Sequence, residues 1–192
     1  MMRKNIQIKR LLQRFRYLYL HSNVYFCESL INSMDYNIRQ ASPKDMPRVL
    51  ELIKELATFE KEPDAVIITA EDLVKDGFGD YPLFACFVAE INGIIEGMAL
   101  VYFRYSTWKG RTVHLEDLIV RQEMRGTGLG SALYKKVLDY SREQGVKRTE
   151  WVVLDWNTPA IDFYQRSGAT VLKDWYLVQM DENAMKAYLK SR

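Results

Sequence analysis

Residues 125–131 read Arg125-Gly126-Thr127-Gly128-Leu129-Gly130-Ser131, with a β-type run before them (113–120) and a helical run after them (129–144). The closely spaced glycines have no Cβ atoms, so consecutive backbone N–H groups of this tight turn can point into one concavity. Because this concavity lies at the start of a helix, unpaired N–H groups and the positive end of the helix dipole favour a phosphate there. The stretch therefore predicts a strand–turn–helix unit that binds phosphate.

The glycine spacing excludes two common nucleotide sites. The turn lacks the Gly-Lys-Ser/Thr ending of a nucleoside-triphosphate P-loop, and Gly126-x-Gly128-x-Gly130 differs from the G-x-G-x-x-G of a dinucleotide fold. A glycine-rich turn by itself is more often only a turn. Here a strand, a basic residue (Arg125) and a helix accompany it in order, which favours a ligand site.

Size and composition indicate one soluble enzyme-sized domain. The chain has 192 residues with 48% hydrophobic content, enough for a sizeable core, and no run reaches the roughly 18 apolar residues of a membrane span. Cys27 and Cys86 lie far apart, and neither they nor His21 and His114 show the spacing of a metal site. We expect a cytoplasmic protein that binds no metal and no membrane.

Charge separates the first 33 residues from the rest. Residues 1–33 carry six basic side chains and one acidic one, whereas residues 34–192 carry 21 basic and 24 acidic ones. A transit peptide, a basic arm for nucleic acid and a non-native extension all fit residues 1–33, and we favour a non-catalytic extension before a domain at 34–192. The mildly acidic body suits a small cation better than nucleic acid.

The patterns predict one mixed α+β domain. Predicted strands cover 36–40, 84–91, 94–105, 112–120, 151–154 and 170–180, and Asn92-Gly93 predicts a two-residue hairpin. Predicted helices begin at Ser42-Pro43, at residue 70 with Gly77 as its end, and at residues 129, 157 and 182. In the strand at 112–120, strict alternation places His114, Glu116, Leu118 and Val120 on one face and Val113, Leu115, Asp117 and Ile119 on the other.

Several segments resemble one family of enzymes. Arg125, Gly128 and Gly130 match the Arg/Gln-x-x-Gly-x-Gly/Ala signature with which the GNAT acetyltransferases hold the pyrophosphate of acetyl-CoA. From about residue 35 to 180 the chain resembles the spermidine/spermine (diamine) acetyltransferase branch, in Ile53-Lys54-Glu55-Leu56-Ala57, Asp76-Gly77-Phe78-Gly79, Leu115-Glu116-Asp117, Trp156-Asn157 and Phe163-Tyr164. Two segments, 105–112 and 153–157, are more similar to the thialysine Nε-acetyltransferases within it.

The resemblance implies a fold, a co-substrate and an assembly. The GNAT fold is a central mixed, mostly antiparallel twisted sheet flanked by helices. Acetyl-CoA is the co-substrate, and members are typically homodimers. This chain has Lys173-Asp174-Trp175 where the family usually has Glu-Gly-Trp, and the missing acid puts long polyamine acceptors in doubt.

Two side chains are candidates for moving protons. An alkyl ammonium with a pKa of about 10 is neutral in only about one part in a thousand at pH 7, so a base is needed. Glu116 precedes the glycine turn and is our candidate base. It would take the proton directly, through a water molecule or with the help of a raised pKa. Tyr164 is the candidate acid for the departing CoA thiolate. The alternatives are a solvated strand carboxylate and a packing tyrosine.

The resemblance assigns the remaining site residues. Backbone N–H groups near Leu118 and Val120 are also candidates for stabilising an acyl oxyanion. Asn157 could bind acetyl-CoA or could equally well be only a turn residue. The residues implied to bind acetyl-CoA are Leu118, Ile119, Val120, Arg125, Gly126, Thr127, Gly128, Leu129, Gly130, Ser131, Asn157, Thr158, Pro159 and Ala160. Those implied to line the acceptor site are Phe59, Glu60, Glu116, Glu150, Trp151 and Val152.

The predicted function is direct transfer of an acetyl group from acetyl-CoA to the primary amine of a small cationic acceptor, namely thialysine, a diamine or a polyamine. Two other functions fit the same fold. One is a protein or peptide N-acetyltransferase, and the other is a non-catalytic regulator that binds acetyl-CoA. The acidic cluster Glu60-Glu62-Asp64 beside an aromatic residue favours a compact cation.

Overall fold

The computed structural model describes residues 35–191, which form two compact units, one ending at Val152 and the other beginning at Val153. The basic extension predicted for residues 1–33 lies outside the described residues. No helix between residues 35 and 191 has the length and apolar character needed to cross a bilayer.

A five-stranded sheet forms the first unit. Its strands are β1 (Tyr36–Gln40), β2 (Ala85–Ile91), β3 (Ile94–Ser106), β4 (Gly110–Val120) and β5 (Thr149–Glu150). They lie side by side in chain order, antiparallel except for the parallel pair β4–β5. The prediction of an α+β fold with a mixed, mostly antiparallel sheet is confirmed.

Helices cover both faces of this sheet. The first unit contains α1 (Met46–Phe59), α2 (Ala70–Phe78) and α3 (Leu129–Glu143), and the second contains α4 (Thr158–Arg166) and α5 (Glu182–Lys190). Helices α1 and α2 share a buried apolar cluster with the face that carries Cys86, Val88 and Met98. Helix α3 packs on the opposite face, where the ring of Tyr140 lies 5.3 Å from that of Phe87.

Local sequence signals explain most of the element ends. Asn92 and Gly93 have φ values of 51° and 80°, the left-handed geometry of the predicted hairpin turn between β2 and β3. Thr69 caps α2 by accepting a hydrogen bond from the Asp72 N–H at 3.1 Å. The prediction that Gly77 ends α2 is wrong, because the helix continues to Phe78 and Gly79 is its C-cap. A Cβ on Gly77 would lie 2.5 Å from the Phe84 ring, so close packing explains this glycine.

The alternation predicted for β4 is wrong beyond Leu115, because the strand contains a β-bulge. Leu100 of β3 lies opposite Asp117, and Val101 lies opposite Leu115, so Glu116 has no partner on β3. Residues directly opposite one another in antiparallel strands share a face of the sheet. The extra residue therefore reverses the faces of the strand that follows.

After this reversal, Asp117 lies on the same face as His114. Leu118, opposite Ala99, lies on the same face as Leu115, opposite Val101. Strict period-two patterning separates His114 from Asp117 and therefore assigns the bulged region incorrectly. The physical reason is that a bulge depends on the pairing of two strands and leaves little trace in either sequence alone.

Two predicted strands are absent from the described residues. Residues 151–154 follow β5 without joining the sheet, since β5 pairs with β4 only at Thr149 and Glu150. Residues 170–180 contain no strand either. Both segments are rich in β-branched and aromatic residues, but a strand also needs a neighbouring backbone to complete its hydrogen bonds. Both predictions are therefore wrong.

Candidate active site

The glycine turn has a backbone that only glycine adopts easily. Gly126 and Gly128 have φ values of 78° and 85°, and a Cβ at either position would be strained although it would meet no neighbour within 4 Å. Gly128 is the N-cap of α3. Gly130 has no such φ, and its Cβ would lie 3.7 Å from Val120, an ordinary contact. The turn therefore leaves open space above an exposed backbone.

Donor groups at the start of α3 face this turn. The first backbone N–H that bonds within the helix is that of Ala132, which donates to the Gly128 carbonyl at 3.0 Å. The N–H groups of Leu129, Gly130 and Ser131 precede it and have no intrahelical acceptor. Together with the positive end of the helix dipole, they form a site suited to a phosphate group.

Short contacts hold the turn in place. The Thr127 hydroxyl donates to the Met124 carbonyl at 2.7 Å, and the Arg125 N–H donates to the Gln122 carbonyl at 3.2 Å. A 3-10 turn at Gln122–Met124 connects β4 to the glycines. The donors are therefore arranged before any ligand arrives.

Arg125 connects this turn to the end of α1. The guanidinium carbon lies 4.9 Å from the centre of the Phe59 ring, within the range of a cation–π contact. Phe59 was predicted to line the acceptor site and Arg125 to bind acetyl-CoA. The fold thus brings one residue of each predicted group into contact.

Three carboxyl groups form an acidic region beside Phe59. Burial raises the pKa of Glu60 above its usual value. The pKa of Asp117 rises to about 6, chiefly through burial and further through the nearby carboxyls of Glu116 and Glu60. Neighbouring carboxylates stabilise a bound cation, and the carboxyl of Asp117, with its pKa of about 6, can accept a proton near neutral pH.

Asp117 is the residue of this region that sequence reasoning did not select. A signal for it was present, because its predicted neighbours on one strand face were Val113, Leu115 and Ile119, all apolar. An acid on an apolar strand face is costly unless it has a partner or a function. His114 was predicted to lie on the strand face of Glu116, but no role in the site was predicted for it.

The bulge exposes Glu116 beside two polar side chains. Its side chain is 52% exposed, and Oε2 lies 3.5 Å from Nε2 of His114. Burial, and next the nearby Glu116 carboxylate, raise the pKa of Tyr102. Glu116 is therefore accessible to a substrate while its carboxylate is held by neighbours on the same sheet face.

The backbone after Glu116 is open on one side. Leu115 and residues 117–120 pair with β3, whereas β5 pairs with β4 only at Val113 and His114. Within residues 35–191 no strand pairs with the other side of Leu118, Ile119 and Val120. Backbone N–H groups on that side remain candidates for binding an acyl oxygen or the CoA arm.

The three residues predicted after β5 lie in different surroundings. Glu150 lies opposite His114 and so shares its sheet face, whereas the Trp151 ring packs edge-on against Tyr134 of α3, with centres 5.6 Å apart. Val152 is exposed. The structure brings Glu150 towards Glu116 and places Trp151 against the helix that follows the glycine turn.

The second unit carries the remaining predicted residues. The Asn157 side chain caps α4 by accepting from the Ala160 N–H at 3.4 Å, with Thr158 and Pro159 between them in the first turn. Tyr164 on α4 is 9% exposed, and its ring lies 5.3 Å from that of Phe163. Asn157 therefore has a structural use as a helix cap in addition to the role that the resemblance implies.

No group of three or more His, Cys, Asp or Glu side chains placed to hold a metal ion occurs in residues 35–191. Cys86 is a buried free thiol, and its burial, reinforced by Asp117 and Asp45, raises its pKa to about 12. A protonated, buried thiol is unsuited to act as a nucleophile.

Comparison with known proteins identifies the family. The profile of the acetyltransferase (GNAT) family matches residues 46–169. The chain is 41% identical to a Bos taurus thialysine N-epsilon-acetyltransferase, over 78% of this chain and 94% of the relative. It is 37% identical to a Homo sapiens spermidine/spermine N(1)-acetyltransferase-like protein 1, over 80% of this chain but 24% of that protein.

Solved structures show the same fold at lower sequence identity. An integron cassette protein from the mobile metagenome of V. cholerae superposes with a TM-score of 0.68 at 19% identity, over 82% of this chain and 99% of that one. The family profile spans the acidic region, the glycine turn and Tyr164. The chain therefore belongs to the GNAT family and is an acetyl-CoA-dependent N-acetyltransferase.

Proposed function

We propose that the enzyme acetylates the primary amine of a small cationic acceptor by direct attack on acetyl-CoA in a ternary complex. The contact between Arg125 and Phe59 carries this proposal, because it joins the glycine turn to the acidic region of Glu60, Glu116 and Asp117. A site for an anionic phosphate thus adjoins a site for a cation. The names of the relatives, which include thialysine, spermidine and spermine, agree with such an acceptor.

Acetyl-CoA supplies the acetyl thioester, and the glycine turn is suited to hold its pyrophosphate. The positive φ values of Gly126 and Gly128 leave open space above the turn. The N–H groups of 129–131 would donate to phosphate oxygens there. Leu118, Ile119 and Val120 would bind the CoA arm or the acyl oxygen through their backbone. The resemblance to the family implies that the segment from Asn157 to Ala160 would also bind acetyl-CoA.

The acidic region would bind the ammonium group and take up its proton. Deprotonating an alkyl ammonium at pH 7 costs roughly 4 kcal/mol. Glu116 is exposed and would contact the amine as its base, directly or through water, and the carboxyl of Asp117, with its pKa of about 6, is suited to take up the proton near neutral pH. The amine nitrogen then forms the new bond to the acyl carbon as the carbon–sulfur bond breaks, and the nitrogen loses a second proton, which balances the proton that the thiolate gains.

Tyr164 would give a proton to the departing thiolate. Phenol and thiol pKa values of about 10 and 8.5 are close enough for efficient transfer between positioned groups. Changing Tyr164 to Phe should lower kcat by about 100-fold or more with little change in the affinity for acetyl-CoA. Steady-state kinetics together with calorimetry of acetyl-CoA binding measures both quantities. Unchanged turnover would remove Tyr164 from the mechanism.

The proposed acceptor class is tested with a panel of amines. Thialysine, lysine, ornithine, putrescine and spermidine are compared with lysine-containing peptides, with acetyl-CoA held at saturation. We expect turnover of small amines and little of peptides, since the acidic region beside Phe59 suits a compact cation. Acetylation of peptides alone would favour the protein N-acetyltransferase instead, and tight acetyl-CoA binding without turnover of any amine would favour the regulator.

We further propose a cytoplasmic homodimer that needs no metal ion. Large apolar side chains of the second unit are exposed at residues 172–180, among them Trp175, Tyr176 and Val178, and contact with a second copy would remove them from water. Light scattering during gel filtration gives the mass in solution. Activity that survives EDTA supports a metal-independent reaction, and loss of activity that only added metal restores would contradict it.

A further inference from the structure

A group of opposite charges lies on the sheet face next to Glu116. Nη1 of Arg104 on β3 lies 2.9 Å from Oε1 of Glu150, and Nε of Arg148 lies 2.9 Å from Oε2 of the same carboxylate. We call Arg104, Arg148 and Glu150 the arginine cluster. Two cations share one anion, so the cluster has a net positive charge, and we call it the positive pole. The Arg104 side chain is 53% exposed.

His114 separates this positive pole from Glu116. Its Nδ1 lies 3.4 Å from Nη1 of Arg104, and its Nε2 lies 3.5 Å from Oε2 of Glu116. Arginine only donates hydrogen bonds, so Nδ1 must accept and the proton of a neutral ring belongs on Nε2, facing the carboxylate. Burial lowers the pKa of His114, which favours this neutral form. The positive pole and Glu116 are therefore one imidazole ring apart.

The stability of the fold does not explain the arginine cluster. Partly exposed ion pairs contribute little to the free energy of unfolding, and one arginine would neutralise Glu150. For an acceptor with ammonium groups at both ends, the second ammonium would lie beside the like charges of Arg104 and Arg148 and would be repelled. For a diamino acid bound by its side-chain ammonium at Glu116, the other end carries a carboxylate that complements a guanidinium fork.

We propose that Arg104 is a specificity-determining residue that binds the α-carboxylate of a diamino-acid acceptor. This inference rests on the proposed function, since it assigns the far end of the same acceptor. The side-chain amine of the acceptor would then lie at Glu116 and Asp117, separated by the His114 ring from the acceptor's α-carboxylate at Arg104. The preferred acceptors are short diamino acids, and diamines of equal length bind less well.

The test compares acceptors that differ only in this carboxylate. L-lysine is paired with cadaverine and L-ornithine with putrescine, and kcat/KM is measured for each at saturating acetyl-CoA. Arg104→Gln should lower kcat/KM for the amino acids by about 10- to 100-fold, the range of a charge-assisted hydrogen bond. The loss should lie mainly in KM, because the carboxylate is remote from the reacting atoms. Turnover of the diamines should stay constant or rise.

Two further variants serve as controls. Arg104→Lys keeps the charge but loses the fork, and we expect it to retain part of the preference for amino acids. Arg111→Gln removes a cation from the same sheet, where the guanidinium carbon lies 3.3 Å from the centre of the Phe103 ring on the face of α3. Its ratio of amino-acid to diamine turnover should equal that of the unchanged enzyme.

The outcomes separate this inference from the proposed function. If Arg104→Gln and Arg104→Lys keep the original ratio while both acceptors of a pair are acetylated, the assignment to Arg104 is overturned and the small-amine function stands. If the unchanged enzyme acetylates no small amine, both are overturned. A fall in the ratio for Arg104→Gln, with no fall for Arg111→Gln, supports the assignment.

Discussion

The carboxyl of Asp117 makes stability depend on pH in an unusual direction. Most acids in folded proteins have lowered pKa values and stabilise the fold above their unfolded pKa. Burial instead raises the pKa of Asp117 from 3.8 to about 6. Its favourable contribution is therefore complete below about pH 4 and is lost as the pH rises through about 6. Above that pH the ionised, buried carboxylate destabilises the protein.

Asp117→Asn should consequently stabilise the protein at pH 8, by an amount on the order of 3 kcal/mol. The gain should shrink steadily as the pH falls towards about 4. Urea unfolding at several pH values measures it. Asp72→Asn is a control of opposite sign, because hydrogen bonds from Thr69 lower the pKa of Asp72 and its loss should destabilise at neutral pH. A gain that does not vary with pH would show that Asp117 is not the titrating group.

At the level of single residues, sequence reasoning succeeded where a side chain or its absence has a local cause. Gly126 and Gly128 were predicted from the turn itself, and both have the positive φ that favours glycine. Asp117 was missed because its surroundings come from other strands and from the end of α1. Burial and neighbouring charge are tertiary properties, and they decide a pKa.

The close packing of α2 supplies the next prediction. Gly77 lies inside this helix, where alanine is normally favoured by about 1 kcal/mol. A Cβ at this position would lie 2.5 Å from Phe84, so overpacking should outweigh the gain in helix propensity. We expect Gly77→Ala to lower the free energy of unfolding by about 1–3 kcal/mol.

Gly130→Ala is the matched control, because its new Cβ would lie 3.7 Å from Val120 and α3 gains a better helix former. Thermal and urea unfolding of the two variants give the comparison. Equal stability of Gly77→Ala and the unchanged protein would mean that the Phe84 ring moves aside at little cost.

Elements were predicted well where a few adjacent residues determine them. Asn92-Gly93 located the β2–β3 hairpin, and Ser42-Pro43 located the 3-10 turn at Pro43–Asp45 that leads into α1. The bulge at Glu116 and the early end of β5 were not predicted, because both depend on which backbones pair. The error mattered for the site, since the bulge exposes Glu116 and places Asp117 on the face of His114.

The whole molecule raises the question of what residues 1–33 contribute. The sheet, the glycine turn, the acidic region and Tyr164 all lie within residues 35–191, and the family profile begins at residue 46. A chain of residues 34–192 should therefore keep kcat/KM within about two-fold of the full chain, since the proposed binding groups are retained. A fall of ten-fold or more would assign residues 1–33 to the active enzyme.

The same shortened chain offers a probe of its core, because Cys86 is then its only cysteine. The thiol is 2% exposed, and its pKa of about 12 leaves about one thiolate in ten thousand at pH 8. We expect negligible reaction of the folded chain with a disulfide reagent such as DTNB, and one reactive thiol in urea. Reaction of the native state then requires the apolar cluster beneath α1 and α2 to open. Adding acetyl-CoA should slow that reaction only if the ligand stabilises this half of the sheet. Fast labelling of a chain that is still active would show that Cys86 is not buried.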